Sequence, residues 1–343
     1  MKVFWDEVQL QHTPAFFLQR GIVRANFEVP ARALALLEGI GALGLTPSPP
    51  PASSPAALET VHSPAYLDFL RTAYADWTAM EDAGPEVVAN MHPSPEMLSQ
   101  GARRGAPIVG RTGWFTADTA CPIGSGTWDA ILSAASCALA AADEAATGQT
   151  AYALVRPPGH HAYPARAGGH CYVNNAALAA ERLRASGAAR VAVLDIDSHH
   201  GNGTQGAFWE RDDVLFVSVH GDPAGYYPWY VGHAQETGAG PGADCNVNLP
   251  LPRGSADATW LEALEMALDS ICRFAADALV LSLGFDASEH EPLGYLRVTS
   301  DGFARAAEQI SGLSLPCAII QEGGYDTERL GPLLQRFLSA YAP

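Results

Sequence analysis

Basic side chains are scarce in this chain. Lys and Arg number 20 against 37 Asp and Glu, a formal charge of −17 over 343 residues. So acidic a surface repels phosphate backbones and favours small cations, which excludes nucleic acid as a partner. Long apolar runs are missing as well: nowhere do about 18 apolar residues follow one another, so no membrane-spanning helix is expected. Met1 to Asp6 puts an acid where a secretion signal needs its apolar stretch. The six cysteines (Cys121, Cys137, Cys171, Cys245, Cys272, Cys317) never fall in a C-x-x-C spacing. That argues against a disulfide framework or a thiolate zinc site and fits a reducing cytoplasm. There is no G-x-S-x-G for a serine hydrolase, and no repeat with a period of about 20 to 50 residues.

What is present is enough apolar material, 48% of residues, to bury a large core. A first strand is expected at Val3 to Trp5 and a helix at Ala31 to Ile40, followed by a Pro-rich surface segment from Pro47 to Pro55. A second loop-rich stretch, Gly84 to Ser125, is the expected place for a lid or oligomer contact. From Thr127 onward the text alternates. Helices are expected at Thr127 to Thr147, Asn175 to Ser186, Thr204 to Trp209, Trp260 to Phe274 and Gly302 to Ser311, with one more to close the chain. Strands fall between them at Tyr152 to Val155, Val191 to Asp197, Val214 to His220, Ala278 to Leu283 and Cys317 to Gln321. Unbroken apolar strands such as Ala278 to Leu283 belong in a parallel sheet covered on both faces. The expected fold is therefore α/β: one domain over residues 1–343, a parallel β-sheet sandwiched by helices, with an insertion at about 84–125. Sites in such sheets sit at the strand C-termini.

The polar clusters fall at those ends: Arg156-Pro157-Pro158-Gly159-His160-His161, Asp195-Ile196-Asp197-Ser198-His199, Gly284-Phe285-Asp286 and Glu322-Gly323-Gly324-Tyr325. On an extended chain Asp195, Asp197 and His199 share one face and are expected to converge. Asp197, His199 and Asp286 would offer one nitrogen and two carboxylates, the open set of a catalytic zinc. Such an ion makes hydroxide available near neutral pH. His160 and His161, after a stiff Pro-Pro turn, can shuttle a proton. Tyr325, following two glycines, can donate to a carbonyl oxygen as it gains charge. Together these parts describe an amide hydrolase.

These motifs, with Asn174-Asn175-Ala176, Asp195 through Thr204 and His220-Gly221-Asp222-Pro223, resemble the histone deacetylase superfamily over most of the chain, especially its bacterial branch of acetylpolyamine amidohydrolases. The resemblance implies the arginase/deacetylase fold, with Zn2+ (or Fe2+) held by Asp197, His199 and Asp286. It implies that Asp195 orients His160 and Asn202 contacts His161, leaving His161 as the better general base and acid, since a carboxylate raises an imidazole pKa more than an amide does. It also implies a structural K+ near Asp195, Asp197, His199, the Ser218 hydroxyl and the Val219 carbonyl, and a second near backbone oxygens of Phe208, Arg211 and Val214. The substrate would be a small cationic acylated amine such as an acetylated polyamine, with a protein lysine deacylase or a non-catalytic acyl- or metal-binding module as rivals. The insertion's length resembles the dimer-forming loop of that branch, which implies a homodimer.

This chain departs from the family pattern at the substrate wall. Gly168-Gly169-His170 replaces an aromatic, facing Tyr227, and Leu293 follows Glu291-Pro292 where one polyamine-selective relative has a glutamate. Between Ile108 and Ala120 only Asp118 offers an acid. His170 reads equally as a loop histidine or a substrate contact. His12, His62, His92, His233 and His290 lack chemical company, His200 points away from the ligand face, and Cys171 reads as a small buried apolar residue. Gly201 to Gly206 matches the dinucleotide fingerprint G-x-G-x-x-G with Asp222 downstream, but Asp195 and Asp197 would repel a pyrophosphate there.

Overall fold

A computed structural model describes residues 1–341. After β1 (Lys2–Phe4) comes a hairpin, β2 (Phe16–Gln19) and β3 (Ile22–Ala25). Four helices follow, α1 (Pro30–Ala42), α2 (Pro64–Thr78), α3 (Pro95–Ser99) and α4 (Ile108–Phe115). The alternating part contains α5 (Thr127–Ala145), β4 (Thr150–Ala153), α6 (Asn175–Ala185), β5 (Val191–Asp195), α7 (Asn202–Phe208), β6 (Val214–Gly221) and β7 (Asn246–Leu251). It ends with α8 (Asp257–Phe274), β8 (Ala278–Leu283), α9 (Ser300–Ser311), β9 (Cys317–Gln321) and α10 (Leu330–Tyr341). Seven strands form one sheet in the order β1-β4-β9-β8-β5-β6-β7, and every pairing is parallel. The expected α/β sandwich is borne out.

Alternation of side chains explains the two covered faces. Val191 and Val193 of β5 pack with Val280 and Ile320 under α5 and α6. Ala192 and Leu194, one residue out of phase, pack with Leu279, Leu281 and Ile319 under α1, α8, α9 and α10. A third apolar cluster, with Tyr66, Phe69, Phe115, Ile123 and Tyr172, joins α2 and α4 to the loops near the strand ends. No helix among the described residues is long and apolar enough to cross a membrane.

Six of these elements were not expected: β2, β3, β7 and α2, and α3 and α4 within the loop-rich stretch. The strand β7 hides its pattern behind buried Asn246 and Asn248, which donate to the Gln205 side chain, and behind Pro250; a proline is tolerated because β7 is an edge strand. The β2–β3 hairpin turns on Arg20 and Gly21, both at positive φ, a geometry usually announced by Asn-Gly. Helix α2 begins on Pro64 and buries Tyr66, Leu67, Leu70, Ala73 and Trp77, a helical spacing passed over beside the Pro-rich segment. The Gly84 to Ser125 stretch is anchored rather than loose. Arg111 of α4 pairs with Asp76 of α2 at 2.8 Å, and isolated bridges join Val87 to Ile123 and Thr116 to Ala167.

Candidate active site

Strands β4, β9, β8, β5 and β6 are consecutive neighbours, so the segments leaving their C-terminal ends meet. β5 stops at Asp195, which lies opposite Ser218 and Ser282 in the register. The extended alternation expected through His199 therefore breaks, and the convergence of three side chains on one point is corrected. Beyond the strand, Asp197 accepts from the His199 backbone N–H at 2.8 Å, a local turn that folds His199 back beside it. Asp195 accepts from the Asp197 N–H at 3.1 Å and turns its other oxygen to His160 Nδ1 at 2.9 Å.

Asp286 arrives from β8. Ligand atoms of Asp197, His199 and Asp286 all lie within 4.8 Å of one another. His199 Nδ1 is 2.8 Å from Asp286 Oδ2 and 3.2 Å from Asp197 Oδ1. Further carboxylate oxygens are occupied by backbone N–H groups, Gly323 on Asp197 Oδ2 at 2.9 Å and Ser198 on Asp286 Oδ1 at 2.7 Å. Two buried carboxylates against one imidazole carry uncompensated negative charge, which is costly unless a cation joins them. Two oxygens and one nitrogen suit Zn2+ or Fe2+, so the residues fit the ion. Burial works against charge on His199, but Asp286 and Asp197 outweigh it and raise its pKa to about 9.

His160 and His161 lie with ring centroids 4.0 Å apart. Burial disfavours charge on both. At His160 the charges of Asp195 and Asp197 prevail and hold its pKa well above the usual value. At His161 burial is reinforced by His160 and His199, and the pKa falls well below it. His161 Nδ1 meets Asn202 Oδ1 at 2.6 Å; since that oxygen can only accept, Nδ1 carries the proton and Nε2 keeps its lone pair. The pair is seated by a residue whose role was not read from sequence: Glu322 of the β9 end accepts from the N–H groups of Gly159 at 2.7 Å and His160 at 3.1 Å. His160, Cys171 and Glu322 also form a close buried group, but Glu322 is committed to those N–H groups and to Ser282 Oγ at 3.1 Å.

Tyr325 sits beyond Gly323 and Gly324, with its ring 4.7 Å from the Arg32 guanidinium. Arg32 itself, buried on α1, donates to the carbonyls of Glu322 and Gly324, each at 2.6 Å. Glu28 lies between Arg32 and Arg156, at 3.2 and 3.0 Å. The signal for Arg32 was a cation on the apolar stripe of α1, among Ala33, Leu36 and Ile40.

The wall is built differently from the expectation. Tyr227 does not face Gly169 across a gap: both bind Asp118 Oδ2, the Tyr227 hydroxyl at 2.6 Å and the Gly169 N–H at 3.0 Å. The Tyr227 ring stands edge-on to His161 at 4.9 Å. His170, at φ 67°, is buried with its ring 5.4 Å from Phe17 of the hairpin and 6.0 Å from Tyr325. Burial lowers its pKa to about 4, so the wall it forms is uncharged at neutral pH. Leu293 is half-buried, and its carbonyl accepts from the Tyr226 hydroxyl at 2.8 Å. Tyr226, unread in the sequence, stacks on His199 at 4.3 Å.

Ser218 and Val219 are buried on β6 beside β5, and the Ser218 hydroxyl lies 2.8 Å from His220 Nδ1. Phe208 ends α7, its carbonyl accepts from the Arg211 N–H at 3.0 Å, and Val214 opens β6. His200 is buried against Phe216 and His220, away from the carboxylates. The glycines of the dinucleotide-like run serve close packing. A Cβ on Gly201 would strike Asp195, on Gly203 the Ala162 carbonyl, and on Gly206 the Tyr163 ring.

Residues 26–341 match the histone deacetylase domain family. An acetylpolyamine amidohydrolase of Burkholderia pseudomallei is 44% identical, covering 99% of this chain and 98% of its own. Acetylpolyamine amidohydrolase 1 of Pseudomonas aeruginosa is 41% identical over 99% of this chain and 98% of its own. A crystal structure of acetylpolyamine aminohydrolase from Burkholderia pseudomallei superposes with a TM-score of 0.94 at 44% identity, covering 99% of this chain and 98% of that one.

Proposed function

The chain belongs to the histone deacetylase domain family and is a hydrolase of amide bonds; from that premise we propose that it is a zinc-dependent amidohydrolase removing acetate from a small cationic amine, an acetylated polyamine. The observation that carries the reading is the meeting, at adjacent strand ends, of the Asp197, His199 and Asp286 group with the His160/His161 pair, with Tyr325 on the segment whose Gly323 N–H holds Asp197. When bound, the divalent ion would polarise the amide carbonyl and supply hydroxide near neutral pH. His161 Nε2 takes the proton of the attacking water and returns it to the leaving amine. His160, held charged by Asp195, keeps that face electropositive as the carbonyl oxygen gains charge. The Tyr325 hydroxyl donates to that oxygen, and free amine and acetate leave.

The acidic surface supports a cationic substrate, and Asp118 adds a carboxylate to the wall beside Tyr227. The names of the relatives above favour acetylated polyamines for this chain over acetyllysine in proteins. In this reading residues 1–343 act as one catalytic domain, and K+ would be held near Asp195, Asp197, His199, Ser218 and Val219. Met91, Met97 and Leu98, exposed on the insertion, support a homodimer, and six unpaired cysteines support a cytoplasmic location. The test is acetate release from acetylputrescine, acetylspermidine and an acetyllysine peptide, each with and without chelator. Chelator-sensitive release, fastest from an acetylpolyamine, is expected. Release that ignores the chelator, or none from any of the three, overturns the proposal.

A further inference from the structure

The turn that carries Tyr325 is gripped on both of its polar edges. On one edge Arg32 takes the carbonyls of Glu322 and Gly324. On the other, the Glu291 carboxylate accepts from the Tyr325 backbone N–H with both oxygens, at 2.9 and 3.1 Å, and from the Asp326 N–H at 3.3 Å. Glu291 comes from the loop after β8, five residues beyond Asp286 and more than thirty before its partners. It is only 9% exposed, and its own backbone is closed into a turn by the Gly294 N–H at 2.9 Å. A carboxylate is buried at such cost only where its acceptors are used, and these are used on the amides of two consecutive residues, Tyr325 and Asp326. The grip matters because Tyr325 follows Gly323 and Gly324, the latter at φ 124°, a hinge that places no steric limit of its own on where the tyrosine points.

We propose that Glu291 is a positioning residue for the reaction: by holding the backbone amides of Tyr325 and Asp326 it fixes the Tyr325 hydroxyl where the developing oxyanion forms. This rests on the reading of Tyr325 as the oxyanion donor. Glu291 touches neither substrate nor metal ligands in this role, so its loss should slow the chemical step without weakening substrate or metal.

The test is a double-mutant cycle on zinc-loaded full-length protein with an acetylated polyamine as substrate, with bound metal measured for each variant. Glu291→Ala should lower kcat at least about tenfold, with KM within about twofold of wild type and metal near one per chain. Glu291→Gln, which keeps an acceptor oxygen, should recover most of that loss. In a Tyr325→Phe background, Glu291→Ala should cost less than a further factor of about two, because the group it positions is gone. Should the alanine variant fail to fold, Glu291→Asp, which withdraws the acceptors by one methylene, is read in the same way. A wild-type kcat in Glu291→Ala, or an undiminished loss in the Tyr325→Phe background, overturns the proposal. A Tyr325→Phe enzyme at wild-type speed overturns the reading of Tyr325 and this proposal with it.

Discussion

His160 and His161 are buried chain neighbours driven to different charge states: Asp195 and Asp197 hold His160 charged against burial, whereas burial, with His160 and His199 beside it, leaves His161 neutral. The same competition sets the behaviour of His199. Its folded pKa, raised to about 9 by Asp286 and Asp197, means that the metal-free protein carries a ring proton there at neutral pH. A divalent ion needs the Nδ1 lone pair, so binding must expel that proton. The sign follows. Below about 9 the proton competes, and apparent zinc affinity should climb with pH by up to about tenfold per unit before flattening near 9. Chelator competition on the apoprotein at a series of pH values measures this, and an affinity indifferent to pH between about 6.5 and 8.5 would show that His199 is not the group displaced.

At the scale of the element, the segment leaving β9 is tied by hydrogen bonds to the metal-ligand candidates and to α1. The Gly323 N–H holds Asp197, and a Cβ at Gly323 would lie 2.5 Å from Asp197 Oδ2 and 2.6 Å from Asp286 Oδ2. Gly323→Ala should therefore spread the two carboxylates and cut zinc affinity by at least about tenfold, with the circular dichroism of the sheet unchanged; a variant that retains one zinc per chain through gel filtration against chelator would contradict this. The strand ends of β4, β5, β8 and β9 were legible beforehand because buried parallel strands read as apolar runs and their polar endings stand out. The convergence of Asp195 with Asp197 and His199 was misjudged because periodicity cannot tell where a strand stops, and here the Asp197 turn stops it. Arg32 and Glu291 escaped notice for a different reason. Each acts on backbone atoms of a distant segment, and a hydrogen bond to a carbonyl or an amide leaves no mark on the identity of its partner. Asp118 was visible as an acid, but its place beside Gly169 follows from the bridge between Thr116 and Ala167, a long-range pairing.

For the whole molecule, a charge of −17 should steer cationic substrates by long-range attraction that salt screens. Raising ionic strength from about 0.05 to 0.5 M should lower kcat/KM for an acetylated polyamine several-fold while leaving an uncharged N-alkylacetamide within about a factor of two. Equal salt sensitivity of both substrates would rule out steering. The sheet order bears on how such a molecule comes into being. β9, late in the chain, lies between β4 and β8, and it delivers Glu322, Gly323 and Tyr325. A ribosome thus makes the keystone after the arch. Until β9 emerges, the facing edges of β4 and β8 have no strand between them and invite mispairing, and a nascent chain that already holds every metal-ligand candidate still lacks the turn that seats its proton shuttle. Activity should switch on only once β9 and its turn have been made, so a chain terminated before β9 would be a client for chaperones and proteases rather than a slow enzyme.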